Sequence, residues 1–177
     1  MFIVFGCLLS GGLILAWFTQ QGLTSAPQIS FNIIDGRKIA LDELHGRPVM
    51  VTFWATTCSG CMKEMPHMIE LYNEMAPKGL EIIAVAMSYD PPNQVLELSQ
   101  RRNIPYPVAL DINGSAAKAF GNVQLTPTSF LISPDGKIIK HNTGEMNMTS
   151  MRKKITTMLP EQIHVSENNS NKPYSQG

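Results

Sequence analysis

The chain has 177 residues with fourteen basic and fourteen acidic side chains, a formal net charge of zero, and no segment gathers its lysines and arginines into a stripe, which excludes a nucleic-acid binder working through phosphate contacts. That length allows one domain with a tail at each end and a core that needs no covalent staples. Of the three cysteines, Cys7 lies in an apolar leader while Cys58 and Cys61 stand three apart. A disulfide framework is therefore excluded, and the close pair is chemical or metal-binding.

Residues Met1 to Phe18 are almost wholly apolar, and no charged side chain precedes Asp35. Such a run is about the shortest that spans a hydrocarbon core as a helix, and its Trp17-Phe18 end suits a membrane interface. Residues 1–20 are read as a signal anchor or signal peptide. Retention is favoured, because Pro27 makes a poor neighbour for a cleavage site at Thr24-Ser25-Ala26. Cys7 precedes most of the hydrophobic stretch and is read as a small apolar residue of that helix rather than a lipid attachment point. Residues 21–28 form a polar linker, and the domain proper is expected over 29–160.

Within the domain, Ile29 to Ile34 and Arg37 to Leu41 read as a hairpin around Asp35-Gly36, with Asp42 expected to cap a short helical turn through Leu44. The run Val49-Met50-Val51-Thr52-Phe53-Trp54 is β-rich and mostly apolar on both faces, the pattern of a central strand covered on two sides. From Cys58 onward, Cys61, Met62, Met65, Met68, Ile69, Tyr72 and Met75 recur at three and four residues, so a helix with one buried stripe is expected, kinked at Pro66 and closed at Gly79. Leu80 to Met87 is a second buried strand, which makes a right-handed parallel crossover. A helix from Asn93 to Arg102 follows Pro91-Pro92, then a strand over Tyr106 to Leu110 and a short helix over Ser115 to Phe120. Thr128 to Ile132 and Lys137 to Lys140 form a second hairpin around Pro134-Asp135-Gly136. An amphipathic helix covers Met148 to Leu159, and residues 161–177 are a polar tail without the composition of a folded segment.

A Cys-x-x-Cys pair where a strand meets a helix has a physical reason for its place. The first thiol lies at the helix N-terminus, where free N–H groups and the dipole favour a thiolate, and the second lies one turn deeper. Cys58 is the expected attacking nucleophile and Cys61 the resolving thiol. Ser59-Gly60 is expected to supply a tight, unhindered turn between them. A structural zinc half-site is the bland alternative, but no second cysteine pair or nearby His-x-x-x-His completes four ligands.

The block Phe53-Trp54-Ala55-Thr56-Thr57-Cys58-Ser59-Gly60-Cys61-Met62-Lys63-Glu64-Met65-Pro66 resembles the active site of the thioredoxin superfamily, specifically its membrane-anchored TlpA/ResA/CcmG group. The resemblance runs from about Ile29 to Leu159 and includes Gly46-Arg47-Pro48, Leu125-Thr126-Pro127-Thr128-Ser129-Phe130-Leu131-Ile132 and Asp135-Gly136-Lys137. It implies an α/β, three-layer thioredoxin-like fold, a central mixed sheet flanked by helices with an added N-terminal β-hairpin. It also implies a redox-active Cys58-Cys61 disulfide, a cis Pro127 beside it, and Thr126 as the residue whose backbone pairs with a substrate chain, with Trp54 and Thr57 at the same surface. Two departures stand out. Thr57 replaces the family's tryptophan before the first cysteine, and Thr52 stands where cytosolic thioredoxins bury an acid, so Glu64, three residues beyond Cys61 and on its helix face, is the candidate proton carrier.

The expected function is thiol–disulfide exchange without cofactor or metal, reducing disulfides of exported proteins, apocytochrome c among them. The domain would act as a monomer at the outer face of a bacterial inner membrane, resupplied by a membrane thiol donor; were the leader cleaved, it would be free in the periplasm. The competing class is a copper chaperone holding Cu(I) through Cys58, Cys61 and His67. A peroxiredoxin is disfavoured by the missing Pro-x-x-x-Thr-x-x-Cys block. Because Ser59-Gly60 lacks the proline of the strongly reducing Cys-Gly-Pro-Cys, a somewhat less reducing poise is expected.

Overall fold

The computed structural model describes residues 25–159. The apolar leader, most of the linker and the polar tail lie outside the described residues. In chain order the elements are β1 (Ser30–Asn32), β2 (Lys38–Ala40), β3 (Val49–Trp54), α1 (Ser59–Met75), β4 (Glu81–Ala86), α2 (Pro92–Arg101), β5 (Val108–Leu110), α3 (Ser115–Ala119), β6 (Thr128–Ile132), β7 (Ile138–Thr143) and α4 (Met148–Thr156).

Five strands form one mixed sheet in the order β5-β4-β3-β6-β7, and β1 and β2 form a separate two-stranded antiparallel sheet. Strand β3 pairs parallel with β4 and antiparallel with β6, so α1 is the crossover that two parallel neighbours require. Every residue of β3 is buried, and alternation sends successive side chains to two different cores. Met50 and Trp54 join Met65, Met68, Leu71 and Met75 of α1, Val95 and Leu98 of α2, and Met151 and Ile155 of α4. Val49, Val51 and Phe53 join Phe31 and Ile33 of the N-terminal hairpin and Ala116, Ala117 and Phe120. The architecture is thus a sheet sandwiched between three helices on one face and the hairpin with α3 on the other.

The aromatic centre of the second core explains the hairpin's place. Phe53 meets Phe120 and Phe130 edge-on at 5.5 and 6.1 Å between ring centroids, and Phe31 approaches Phe120 at 6.5 Å, arrangements favoured by the ring quadrupole. The hairpin also reaches the sheet edge, where Ile33 bridges Ala109. That contact covers part of β5, whose unpaired backbone would otherwise be an open edge.

Several expectations are corrected. Asp42 does not cap its helical turn: Leu41–Leu44 is a 3-10 turn preceded by Ala40, which makes no side-chain cap, and it is the backbone carbonyl of Asp42 that accepts from His45 Nδ1 at 2.6 Å. Ser59 and Gly60 are not a turn but the first two residues of α1. The helix continues through the exposed Pro66 and ends at Met75, after which a 3-10 turn over Ala76–Lys78 leads to Gly79 at φ 115, a conformation that glycine adopts without steric cost. The buried stripe of α1 includes Leu71 and Glu64, whereas Met62, Ile69 and Tyr72 are only half-buried. Strand β7 runs on to Thr143, past the expected end, because its partner β6 still offers Thr128 opposite.

Phe53 is fully buried between two other rings, so Phe53→Ala is expected to lower the unfolding free energy by about 3–5 kcal/mol. Denaturant titration checks this, with the midpoint moving and the slope unchanged.

Candidate active site

Strand β3 delivers the site. After Trp54 the chain makes a turn closed by the Cys58 amide donating to the Ala55 carbonyl at 3.1 Å, and Cys58 then becomes the N-cap of α1. Its backbone is extended, φ −84 and ψ 108, and its sulfur accepts from the Cys61 amide at 3.1 Å. An N-cap residue ordinarily offers an oxygen to this donor; here the acceptor is the sulfur itself. Cys58 and Cys61 are joined as a disulfide with Cα atoms 5.2 Å apart. Cys58 is half-buried while Cys61 is only 5% exposed, so an incoming sulfur can reach the first and not the second.

Beneath the disulfide lies a small crevice of about 20 Å³ lined by Thr52, Trp54, Cys61, Glu64, Met65, Met68, Ala84, Tyr106 and Pro127. That volume holds roughly one water molecule. Glu64 is 6% exposed, and its Oε1 accepts from the Met146 amide at 2.6 Å. Burial pushes its carboxyl above the usual carboxylate range, and the nearby charge of Glu145 adds to the rise; the Met146 hydrogen bond and His67 oppose it. Tyr106 is raised as well, mainly by burial and then by the charge of Glu64. Trp54 is 4% exposed, and its Nε1–H finds no hydrogen-bond partner among the described residues. Where cytosolic thioredoxins bury an acid, Thr52 Oγ1 is hydrogen-bonded to Ser129 Oγ at 2.8 Å, so the two hydroxyls satisfy each other and leave no charge at that position.

The Thr126–Pro127 peptide bond is cis. A Cβ placed on Gly60 would lie 3.4 Å from Pro127 Cδ and 3.5 Å from the Glu145 carboxylate, ordinary van der Waals contact, so the proline loop and the loop after β7 pack directly against the first turn of α1. The loop after β7 ties these parts together: the Gly144 amide donates to the Pro127 carbonyl at 2.8 Å, and two residues on the Met146 amide holds Glu64. Glu145 between them is paired with Lys63 at 3.7 Å.

The residues singled out in the sequence fall into two groups. Cys61, Glu64, Trp54 and Pro127 line one crevice, with Cys58 bonded to Cys61 at its mouth. Thr57 is exposed at the rim and Thr126 is half-buried just before the cis bond. His67 is exposed further along α1, and among the described residues no three His, Cys, Asp or Glu side chains are grouped to hold a metal ion. Sequence reading missed Tyr106, Ser129, Glu145 and the Met146 amide. The last could not have been found, since a backbone donor leaves no mark in composition.

The sequence profile of the family described as Redoxin matches residues 22–159. The chain belongs to that family, in its TlpA/ResA/CcmG-like group. It is 36% identical over 135 residues to thiol-disulfide oxidoreductase ResA of Bacillus thuringiensis subsp. konkukian, covering 76% of this chain and 77% of the relative. Against ResA of Bacillus subtilis it is 31% identical over 137 residues, covering 77% and 75%. Among solved structures, a thiol:disulfide interchange protein of Chlorobium tepidum TLS superposes with a TM-score of 0.72 at 24% identity, covering 78% of this chain and 98% of that one. StoA of Bacillus subtilis does so with a TM-score of 0.63 at 23% identity, covering 72% and 96%; at that identity both carry the fold and nothing further. The protein is a redoxin-family thiol–disulfide oxidoreductase with Cys58 and Cys61 as its Cys-x-x-Cys pair.

The raised carboxyl of Glu64 makes a pH prediction with a defined sign. The fold favours its protonated form, so the stability it contributes is full below the ordinary value of 4.5 and is lost as pH climbs through the raised folded value. Glu64→Gln, which can keep the Met146 hydrogen bond, is expected to flatten that decline in unfolding free energy between acid and neutral pH. Parallel slopes for the two proteins would show that Glu64 is not the titrating group.

Proposed function

We propose that the protein reduces disulfides of exported proteins at the outer face of a bacterial membrane, held there by residues 1–20 as an anchor and acting as a monomer. The observation that carries this reading is the asymmetry of the pair: a half-buried Cys58 whose sulfur already receives a backbone N–H, over a buried Cys61 that shares its crevice with a carboxyl of raised pKa. Among the described residues no helix is long and apolar enough to cross a membrane, so anchoring rests on the composition of the leader. Apocytochrome c is the proposed substrate class, by carry-over from the family resemblance.

In this reading the reduced enzyme attacks through the Cys58 thiolate. One substrate sulfur forms a bond to Cys58 Sγ while the substrate S–S bond breaks, and the leaving sulfur departs as a thiolate that takes up a proton. Cys61 then loses its proton and attacks Cys58, releasing the second substrate thiol and closing the Cys58–Cys61 disulfide. Two electrons have passed from the dithiol to the substrate. A disulfide at Cys58–Cys61 is the product of that turnover, and an upstream membrane thiol donor returns it to the dithiol.

Glu64 is the proposed acceptor of the Cys61 proton. A carboxyl whose pKa is lifted toward the working pH can both take and return a proton, and a single water would fit in the crevice between it and the sulfur. Thr126 would pair its backbone with the substrate chain beside Cys58, and Thr57 and Trp54 would shape the surface it meets.

Cys58→Ser is expected to abolish disulfide reduction, and Cys61→Ser to accumulate a mixed disulfide with substrate, visible as a mass adduct that dithiothreitol removes. Equilibration with glutathione or dithiothreitol buffers reads the direction. The reductase reading requires a potential nearer the thioredoxin end, about −270 mV, than the strongly oxidising end, about −120 mV; a value at the latter would make the protein an oxidant.

A further inference from the structure

Asp90 is a buried carboxylate that the exchange chemistry does not use, 5% exposed and far in sequence from the cysteines. It does not cap the helix that follows it: Pro91 is the N-cap of α2 and no side chain bonds to the helix start. Instead both carboxylate oxygens reach across to Thr56, two residues before Cys58. Oδ2 accepts from the Thr56 amide at 2.6 Å and Oδ1 from the Thr56 hydroxyl at 2.5 Å. Gln94 Oε1 of α2 stands 3.5 Å from the same hydroxyl.

The geometry on either side explains what this grip does. Thr56 is a corner residue of the turn that the Cys58 amide closes on Ala55. Asp90 ends a matching turn, closed by its own amide donating to the Met87 carbonyl at 2.9 Å, and the Met87 amide donates to the Trp54 carbonyl at 3.0 Å. Two turns that leave the adjacent strands β3 and β4 are therefore latched together, the last residue of one holding a corner of the other. The Asp90 side is stiff, because Asp90 precedes Pro91 and Pro91 precedes Pro92, and each proline restricts both its own φ and the residue before it. The Cys58 side has only its one turn bond and the start of α1. A bidentate, charge-assisted pair of hydrogen bonds is well suited to hold such a turn in one conformation.

We propose that Asp90 is a positioning residue of the dithiol. Through Thr56 it holds the turn that sets Cys58 Sγ against the Cys61 amide, so that the sulfur keeps the N–H donor that favours its thiolate. The proposal rests on Cys58 being the attacking thiol. It concerns the reactivity of that sulfur and not the substrate or the direction of exchange, so it can fail while the reductase reading stands.

The test uses the full-length chain carrying Cys7→Ala and Cys61→Ser, in which Cys58 is the sole thiol, and follows its alkylation by iodoacetamide from pH 5 to 9 alongside thermal unfolding. Loss of the charge-assisted bonds in Asp90→Ala is expected to slow alkylation at neutral pH by about tenfold and move its pH midpoint upward; Thr56→Val, which keeps the amide bond, is expected to slow it about threefold. Thr56→Ser restores the hydroxyl and should restore the rate and midpoint. The double variant Asp90→Ala, Thr56→Val should be no slower than Asp90→Ala alone, since both cut one connection. The proposal is overturned if folded Thr56→Val and Thr56→Ser proteins alkylate alike, or if the rate and midpoint in Thr56→Val stay within about twofold of the parent, the scatter expected of a surface change. It is overturned equally if the two losses multiply in the double variant. Should Asp90→Ala fail to fold, the Thr56 pair decides.

Discussion

The alternation of side chains along β3 is the constraint on which the remaining structure depends. A strand that is buried on both faces must commit each residue to one core or the other, and in β3 the odd positions enter the aromatic core under α3 while the even positions face α1. Trp54 therefore ends the strand on the α1 side, and the chain leaves toward the helix that the same face must bury. A shift of one residue would send Phe53 toward α1 and Trp54 into the Phe120–Phe130 cluster. It would also turn Thr52 away from the crevice it shares with Glu64 and Cys61. The chemistry and the core are set by the same register.

On that frame the site solves a problem of buried polarity. A carboxyl in the crevice beside Cys61 is almost wholly removed from solvent, and a charge there is costly. The fold places one carboxyl, Glu64, and gives it one backbone donor, the Met146 amide, rather than an ion pair. One hydrogen bond keeps the carboxyl from being orphaned without stabilising its charge enough to offset burial, and the pKa rises. Thr52 and Ser129 show the complementary choice, two hydroxyls satisfying each other at 2.8 Å with no charge involved. The loop Gly144–Met146 has a double part, since it holds the Pro127 carbonyl through one amide and Glu64 through another. The cis-proline loop and the buried carboxyl are thereby mechanically linked.

Much of this was legible in the residues. Strand β3 and strand β6 could be read to their terminal residues, because each is a short run of apolar residues, threonine and serine with no charged side chain and turn residues close by. The place of Cys58 at the start of α1, with Cys61 one turn deeper, followed from the strand-to-helix pattern and from spacing alone. Element ends that depend on a partner were harder. Strand β7 continues through polar His141, Asn142 and Thr143 because β6 lies opposite, and only the pairing reveals it. Asp42 is not the cap because the 3-10 turn begins at Leu41, two residues earlier than an Asp42 cap implies. Ser59-Gly60 reads as a turn because serine and glycine are turn residues, but Cys58 takes the N-cap and the two are carried into the first turn of α1.

The sequence by itself determined the strand–helix–strand unit and the place of the Cys-x-x-Cys pair at its junction, since periodicity and spacing are local properties of the chain. It also marked Glu64 as a candidate, through a three-residue interval on one helix face. Tertiary structure alone decided the environment of that carboxyl and of the turn before Cys58. The Met146 amide, the Tyr106 ring and the Asp90 grip on Thr56 come from segments remote in the chain. Burial and hydrogen bonding at a point in space are sums over whatever the topology brings there, and no local pattern encodes them.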